Sequence, residues 1–251
     1  MIIRKSDREI AKMKAANKIV AQSHALLADK IAPGISTAEL DTLVEKFIKK
    51  QGGEPSFKGY RGYPASVCLS LNDEVVHGIP SSSRILQEGD ILSIDIGVYY
   101  QGFHGDAART VGVGKISPEA EALIAATREA LDEGINEAVA GNRLSDISHA
   151  IQTYAEDRGY SVVKQYVGHG IGRDMHEDPQ IPNFGPPGKG PRLKEGMTFA
   201  IEPMINAGDF AVKTRDDGWT VVTVDGSLSA HWEDSIAITG EEPVIMSRPI
   251  N

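Results

Sequence analysis

The sequence predicts an α+β domain of two pseudo-twofold halves, each a helix pair followed by antiparallel strands that the helices cover. Three observations predict it. Apolar residues recur at helical spacing in two separate stretches, each followed by short alternating runs broken by Gly and Pro. The order helix, helix, strands therefore occurs twice in 251 residues. Short motifs also recur in the same order in both halves. We read one domain over 1–251, with halves of roughly 1–113 and 114–251.

In the first half, Ser6 with Glu9 three residues on forms a capping box. Ile10, Met13, Val20, Leu27 and Ile31 then keep helical spacing until Pro33-Gly34. A second box, Ser36 with Glu39, opens a shorter helix carrying Leu40, Leu43, Val44, Phe47 and Ile48, stopped by Gly52-Gly53. Strands and turns follow to Val113. The second half starts at Ser117-Pro118 with a long alanine-rich helix to about Ala140. Gly141 breaks it, a shorter helix runs from Ser145 to Arg158, and Gly159 returns the chain to strands. The Pro/Gly-rich stretch from Pro179 to Pro191 is expected to be an ordered loop inside this half rather than an interdomain linker.

The repeat is visible residue by residue. Leu86-Gln87-Glu88-Gly89 leads to Ile94-Asp95 as Leu193-Lys194-Glu195-Gly196 leads to Ile201-Glu202. His104-Gly105-Asp106 is matched by His231-Trp232-Glu233, and His77-Gly78-Ile79 by His169-Gly170-Ile171. Period-two alternation turns Asp95, Asp106, Glu202 and Glu233 away from the aliphatic face, among small residues. A tight turn at Gln101-Gly102 sets position 95 opposite 108, with Asp106 a diagonal neighbour. The second pair is joined by a longer excursion, with a strand from Trp219 to Val224 and a hairpin signal at Asp225-Gly226.

Composition narrows the classes. Apolar residues are 41% and charged residues 24%, as in a folded water-soluble chain. No apolar run approaches the roughly eighteen residues of a membrane span, and the charged start (Arg4, Lys5, Asp7, Arg8, Glu9) does not read as a secretory signal. A single cysteine, Cys68, favours a reducing compartment, and we expect a cytoplasmic location. With 26 Lys and Arg against 35 Asp and Glu, net −9, no basic groove for nucleic acid is expected.

Four converging carboxylates need neutralising. Two unit charges at about 4 Å repel by roughly 4 kcal/mol at an effective dielectric of 20, so a few such pairs rival a domain's whole stability of about 5–15 kcal/mol. Protons suffice for one shared pair; divalent cations are the better answer for four. Two of them would move the formal charge from −9 to about −5. Oxygen donors with one or two imidazoles suit Mn, Fe, Co or Zn. Among the histidines, His24 and His149 belong to helical patterns, and His104 and His231 share the strand face of the acid two residues on. His169, His176 and His77 remain as candidates. Alone, His77 before Gly78-Ile79-Pro80 reads as a turn cap, and His176 as part of a polar loop.

At these residues the sequence resembles the methionine aminopeptidases of the type I bacterial kind, over nearly the whole chain. The resemblance is carried by Gly168-His169-Gly170-Ile171-Gly172, Gly196-Met197-Thr198-Phe199 with Ile201-Glu202-Pro203-Met204, and Gly102-Phe103-His104-Gly105-Asp106. The order Asp, Asp, His, Glu, Glu is similar to the metal set of the "pita-bread" fold, which also serves proline-specific peptidases and creatine hydrolases. The 31-residue step from Glu202 to Glu233 leaves no room for the helical subdomain of the type II enzymes.

The resemblance implies Asp95, Asp106, His169, Glu202 and Glu233 as ligands of two divalent ions (Co, Mn, Fe, Zn or Ni), Asp106 and Glu233 bridging. Two dications about 3.5–4 Å apart lower the pKa of a shared water from 15.7 toward 7. It implies Glu202 as proton shuttle, His176 as the group polarising the scissile carbonyl, and His77 as a hydrogen-bonding partner of the scissile amide or leaving group. Tyr60, Tyr63, Cys68 and Trp219, with Phe57 nearby, would form the methionine pocket; aromatics and sulfur suit a thioether. Ordinary packing explains Tyr60 and Tyr63 equally well. Met175 stands where the family usually has an aromatic. The implied substrate is the initiator methionine of nascent chains ahead of a small second residue. Transient ribosome association, no nucleic-acid specificity, no membrane and a monomer go with it. The rivals are a proline-specific peptidase of the same fold and a non-catalytic ribosome- or peptide-binding relative.

Overall fold

The computed structural model describes residues 1–248. Both capping boxes form: Ser6 and Glu9 start α1 (Asp7–Ala28), and Ser36 and Glu39 start α2 (Thr37–Lys50). α1 ends at Asp29, four residues before Pro33, because Lys30 and Ile31 turn back on the Leu27 carbonyl. A short strand β1 (Glu54–Pro55) and a turn at Tyr60–Gly62 precede β2 (Cys68–Leu71) and β3 (Glu74–Val76). The ten-residue strands β4 (Ile91–Tyr100) and β5 (Phe103–Gly112) follow, joined at Gln101-Gly102, both at positive φ. β4 is the centre of this sheet: β5 lies along one edge, and β2 and β1 lie one after the other along the opposite edge. Asp95 faces Ala108, and Asp106 faces Gly97. α1 and α2 cover this sheet through Val20, Leu27, Leu40, Val44 and Ile48 against Leu92, Ile94, Ile96 and Val98.

The second helix pair is α3 (Pro118–Asn136) and α4 (Leu144–Glu156). α3 ends four residues short of the expected Ala140, since Glu137–Ala140 turn toward Gly141 and Asn142. Then come β6 (Ser161–Val162), β7 (Gly168–Gly170), β8 (Glu177–Ile181), β9 (Thr198–Ile201), β10 (Met204–Asn206), β11 (Val212–Thr214), β12 (Val221–Thr223), β13 (Ser229–His231), β14 (Asp234–Ala237) and β15 (Val244–Ile245). A five-stranded sheet runs β15-β14-β9-β7-β8, and two three-stranded sheets run β13-β10-β6 and β11-β12-β3. α3 and α4 bury Leu123, Leu131, Ile147 and Ile151 against Phe199, Ile201, Ile205 and Ile236.

Two local expectations are corrected. Residues 179–181 are not loop but the end of β8, held by pairing with β7. The remaining stretch is tied to the start of α4, where Leu144 N–H donates to the Pro191 carbonyl and Gly188 N–H to Asp146 Oδ1. Asp225-Gly226 does not close a hairpin: β12 pairs with β11 and β3, whereas β13 pairs with β10, so the bend carries the chain between sheets. The described residues include no helix long and apolar enough to cross a membrane.

Candidate metal centre

Two strand pairs build the site. Alternation along β4 and β5 brings Asp95 and Asp106 to one face, as expected from the turn between them. β14 lies antiparallel beside β9, and Glu233 and Glu202 sit at the adjoining ends of these strands. The sheets meet where β5 passes β14. Glu233 N–H donates to the Ala108 carbonyl at 3.0 Å, Asp106 N–H to Ser235 Oγ at 3.1 Å, and Ser235 Oγ donates back to the Asp106 carbonyl at 2.8 Å. This seam sets Asp106 beside Glu233 although 127 positions part them in sequence.

Asp106, His169 and Glu233 each offer a ligand atom within 4.8 Å of the others, and all three are buried. His169 Nδ1–H donates to the Gly170 carbonyl at 2.9 Å, leaving the Nε2 lone pair directed at the acids, 3.5 Å from Glu202 Oε1. Glu202 Oε2 lies 3.6 Å from His231 Nε2. Asp95 lies diagonally across from Asp106 on the β4–β5 pair, and the Asp106 charge adds to burial in raising the Asp95 carboxyl.

The electrostatics of these acids follow from their crowding. Burial, then the charges of Asp106 and Glu202, pushes Asp95 well above the usual carboxylate range. Burial and neighbouring acids do the same to Glu202 and Glu233, and burial brings Asp106 up to about 7. The same burial lowers His169 and His231 to about 3 and His77 to about 4, keeping the imidazoles neutral. Asp95 Oδ1, Asp106 Oδ1 and Glu233 Oε1 have no hydrogen-bond partner among the described residues. Buried carboxylate oxygens left unpaired are costly in a protein interior, and hard divalent cations are what such oxygens hold. The donor set fits a metal.

The acids form the floor of a cavity of about 150 Å³. One wall is apolar: Phe57, Tyr63, Cys68 and Met175 are buried together, with Tyr60 and Trp219 packed against them. Tyr63 and Trp219 meet edge to face at 5.1 Å, and Tyr63 O–H donates to the Gly78 carbonyl at 3.0 Å. His77, at φ 62, stands edge-on to Tyr166 and Trp219 and also lines the cavity. His176 lies at the exposed rim, its ring 4.3 Å from that of His169, with Nδ1 2.8 Å from Tyr60 Oη. The structure thus brings every sequence-predicted site residue to this one cavity. His104 turns elsewhere, to Ser56 Oγ at 2.8 Å and to the Tyr99 ring. Larger grooves, such as the one of about 440 Å³ along α3 and α4, hold no comparable set of buried donors.

Sequence reasoning missed the support behind the acids. Asp234, wholly buried, accepts hydrogen bonds from Arg109 Nη2 at 2.5 Å, Ser247 Oγ at 2.6 Å and Arg248 Nε at 2.7 Å. A signal existed: Arg109 and Asp234 are opposite charges on the otherwise aliphatic faces of two strands, and such charges are buried only when paired.

A strand-paired acidic centre with one imidazole, opening on an apolar cavity, fits a divalent metal centre, and comparison shows that it belongs to a metallopeptidase. The model of metallopeptidase family M24 matches residues 11–240, so the chain belongs to that family. It is 59% identical over 239 residues to methionine aminopeptidase 1 of Bacillus subtilis, covering 95% of this chain and 96% of that one. It is 55% identical over 247 residues to a methionine aminopeptidase of Clostridium acetobutylicum, covering 98% and 99%. The crystal structure of methionine aminopeptidase from Thermotoga maritima superposes with a TM-score of 0.98 at 47% identity, covering 99% of this chain and 100% of that one. The prolidase of Pyrococcus horikoshii shares the fold alone, with a TM-score of 0.80 at 23% identity over 65% of its length. The fold is the pita-bread fold.

Proposed function

We infer that this chain is a methionine aminopeptidase of the type I bacterial kind, a hydrolase acting on the N-terminal methionine of polypeptides. Full-length identity to such enzymes supports it. The observation that carries the chemistry is the junction of three buried donor atoms within 4.8 Å with an apolar, sulfur-containing pocket. The proline-specific reading is not favoured, because those relatives resemble the chain only at fold level. The intact donor set speaks against a non-catalytic binding module.

Asp95, Asp106, His169, Glu202 and Glu233 would hold two divalent ions, of the Co, Mn, Fe, Zn or Ni kind. When bound, such ions supply Lewis acidity and make water acidic enough to ionise near neutral pH. The chain's own residues do the rest. Glu202, at the cavity floor, takes the proton from the attacking water and passes it to the departing amine. Partial desolvation of its ring, and then the Arg61 charge, lowers the His176 pKa and so favours the neutral imidazole. With Tyr60 O–H donated to Nδ1, its Nε2–H is free to donate to the scissile carbonyl oxygen as negative charge grows there. His77, neutral as well, is positioned by Tyr166 and Trp219 to hydrogen-bond the scissile amide. Tyr63, Cys68 and Trp219, with Tyr60 and Phe57, enclose the methionine side chain, and Met175 adds a flexible wall.

The same reading makes the chain one domain over 1–251 with halves near 1–113 and 114–251, supported by the similar placing of β4 with β5 and β9 with β14. It makes the enzyme a cytoplasmic monomer meeting nascent chains at the ribosome in passing. The test is release of methionine from Met-Gly-X peptides against release from X-Pro peptides, with Mn or Co added and then chelated. Metal-dependent release from Met-Gly-X alone is expected. Turnover of X-Pro alone, or turnover undiminished by chelation, would overturn the reading. Glu202→Gln should lower kcat by about 10²–10⁴-fold, the usual worth of general acid–base work.

A further inference from the structure

Arg61 is the one Lys or Arg among the described residues lining the catalytic cavity, otherwise walled by carboxylates, imidazoles, aromatic rings and sulfur. It is exposed, in the turn Tyr60–Gly62, at φ 50 and ψ 21. That left-handed conformation suits glycine, and Gly59 and Gly62 on either side adopt it at φ 83 and 92. A bulky cation held in it at the mouth of a reaction site is the kind of local strain that accompanies function. The guanidinium carbon lies 5.4 Å over the Tyr60 ring, and Tyr60 in turn meets His176. Arg84, Arg109, Arg173, Arg215 and Arg248 each pair with a carboxylate. Arg61, like Arg4, Arg8, Arg128, Arg143, Arg158 and Arg192, has no carboxylate within 4.0 Å among the described residues, and it alone of these lines the catalytic cavity.

We propose that Arg61 is a specificity-determining residue that recognises a carboxylate side chain at the third or fourth residue of the substrate. The proposal rests on the reading of the site as a methionine aminopeptidase. With the terminal amine at the acids and the methionine side chain against Cys68 and Trp219, the peptide leaves by the exposed edge of Tyr60, Arg61 and His176. The residue after the scissile bond passes His176, and the next ones, at about 3.3 Å each in extended chain, pass Arg61. The acidic chain, net −9 and about −5 with two dications bound, favours cationic and disfavours anionic substrates at a distance. A single guanidinium at the exit reverses that preference locally, with the fork geometry that matches carboxylate. A peptide's own C-terminal carboxylate has the same chemistry, and amidation separates the two sources.

The experiment compares kcat/KM of the metal-loaded wild type, Arg61→Ala and Arg61→Glu. The substrates are C-terminally amidated Met-Gly-Glu-Gly, Met-Gly-Gly-Glu and their Lys counterparts, with Met-Gly-Gly-Gly as free acid and amide. The wild type should favour Glu over Lys by about three- to tenfold at low salt, as expected of an exposed pair, and less at high salt. Arg61→Ala should bring that ratio near one, and Arg61→Glu should invert it. Using a ratio removes any general loss of activity or folded fraction. A wild-type ratio of one, or a ratio unchanged in Arg61→Ala, overturns the assignment. A preference confined to the free-acid peptide overturns it in favour of the C-terminal carboxylate. Failure to release methionine from any of these peptides overturns the underlying reading and this proposal with it.

Discussion

Lys5 and Glu177, 172 positions apart, form an ion pair with side chains only 3% and 6% exposed. The other Glu177 oxygen, Oε1, accepts the N–H groups of Arg173 at 2.9 Å and Asp174 at 3.4 Å, so this carboxylate shapes the loop that carries His176. Lys5 N–H is itself anchored to the Gly196 carbonyl at 2.6 Å. Lys5→Met would leave Glu177 buried without its counter-charge. Breaking a buried pair from one side costs about 3–5 kcal/mol, which urea unfolding should report. Lys5→Met/Glu177→Gln keeps an acceptor for the loop and removes the orphaned charge, and should recover more than half of the loss. A single variant as stable as the wild type would show that the pair adds nothing.

This pair marks the boundary of what the sequence could say. Capping boxes, alternation and the Gln101-Gly102 turn are local signals, and they were enough to put Asp95 opposite Ala108. The repeated motifs carried the reading further, to His77, His169, Glu202 and Glu233 on one cavity. What failed was whatever depends on a distant partner. Asp225-Gly226 looked like a hairpin because the turn chemistry is right, yet β12 and β13 find their partners in different sheets. Nothing near Lys5 announces Glu177, and nothing near Arg61 says that its turn reaches the rim beside His176.

Metal removal should change how stability depends on pH. Asp95, Glu202 and Glu233 are held well above ordinary carboxylate values and Asp106 is raised to about 7, by burial first. The folded metal-free chain therefore keeps protons that the unfolded chain has released above about pH 4. Its stability falls as pH rises through the folded values. The buried histidines act oppositely. His169 and His231 near 3, and His77 and His104 near 4, add stability as pH rises from those values to about 6.5. Above pH 7 they are neutral in both states and only the carboxylates remain. Thermal melts of the chelated protein should fall from pH 7 to 8, and Mn should raise the melting temperature more at pH 8, since cations compete with protons for these oxygens. A chelated protein that gains stability over this window would contradict the crowding.

Cys68 sits on the pocket wall, opposite Asp95 across the β2–β4 pairing. Burial first, and then the Asp95 charge, pushes its thiol up, with only partial relief from Tyr63. The thiolate is the reactive form, so a thiol held protonated is inert. Native enzyme should react with iodoacetamide at least about tenfold more slowly than denatured chain. Cys68→Ser should raise KM while leaving kcat within about twofold, because the residue touches the side chain to be bound and not the bond to be cut. A fall in kcat alone would move Cys68 from binding to chemistry.

The clamp behind Glu233 offers the sharpest separation of support from catalysis. Glu233 and Asp234 are neighbours that alternation turns to opposite faces, one to the acids and one to the core. From β5, Arg109 donates to the carbonyls of Ala108, at 2.7 Å, and Glu233, and to Asp234 Oδ1 at 2.5 Å. One guanidinium thus fixes the register of the two strands that carry Asp106 and Glu233, without touching either ligand's carboxylate. Asp234→Asn keeps the volume but removes the charge that faces Arg109 and Arg248. Its cost in stability should be about 3–5 kcal/mol. A purely structural loss would stop there. If the clamp positions the ligands, Mn affinity measured calorimetrically on the folded variant should also weaken by about 10–100-fold, as when other outer supports of metal ligands are lost. Ile151→Val, which trims the α4 core away from the site, serves as the control: it should lower stability and leave Mn affinity in place. Equal affinities in Asp234→Asn and wild type would reduce the Arg109–Asp234 pair to packing.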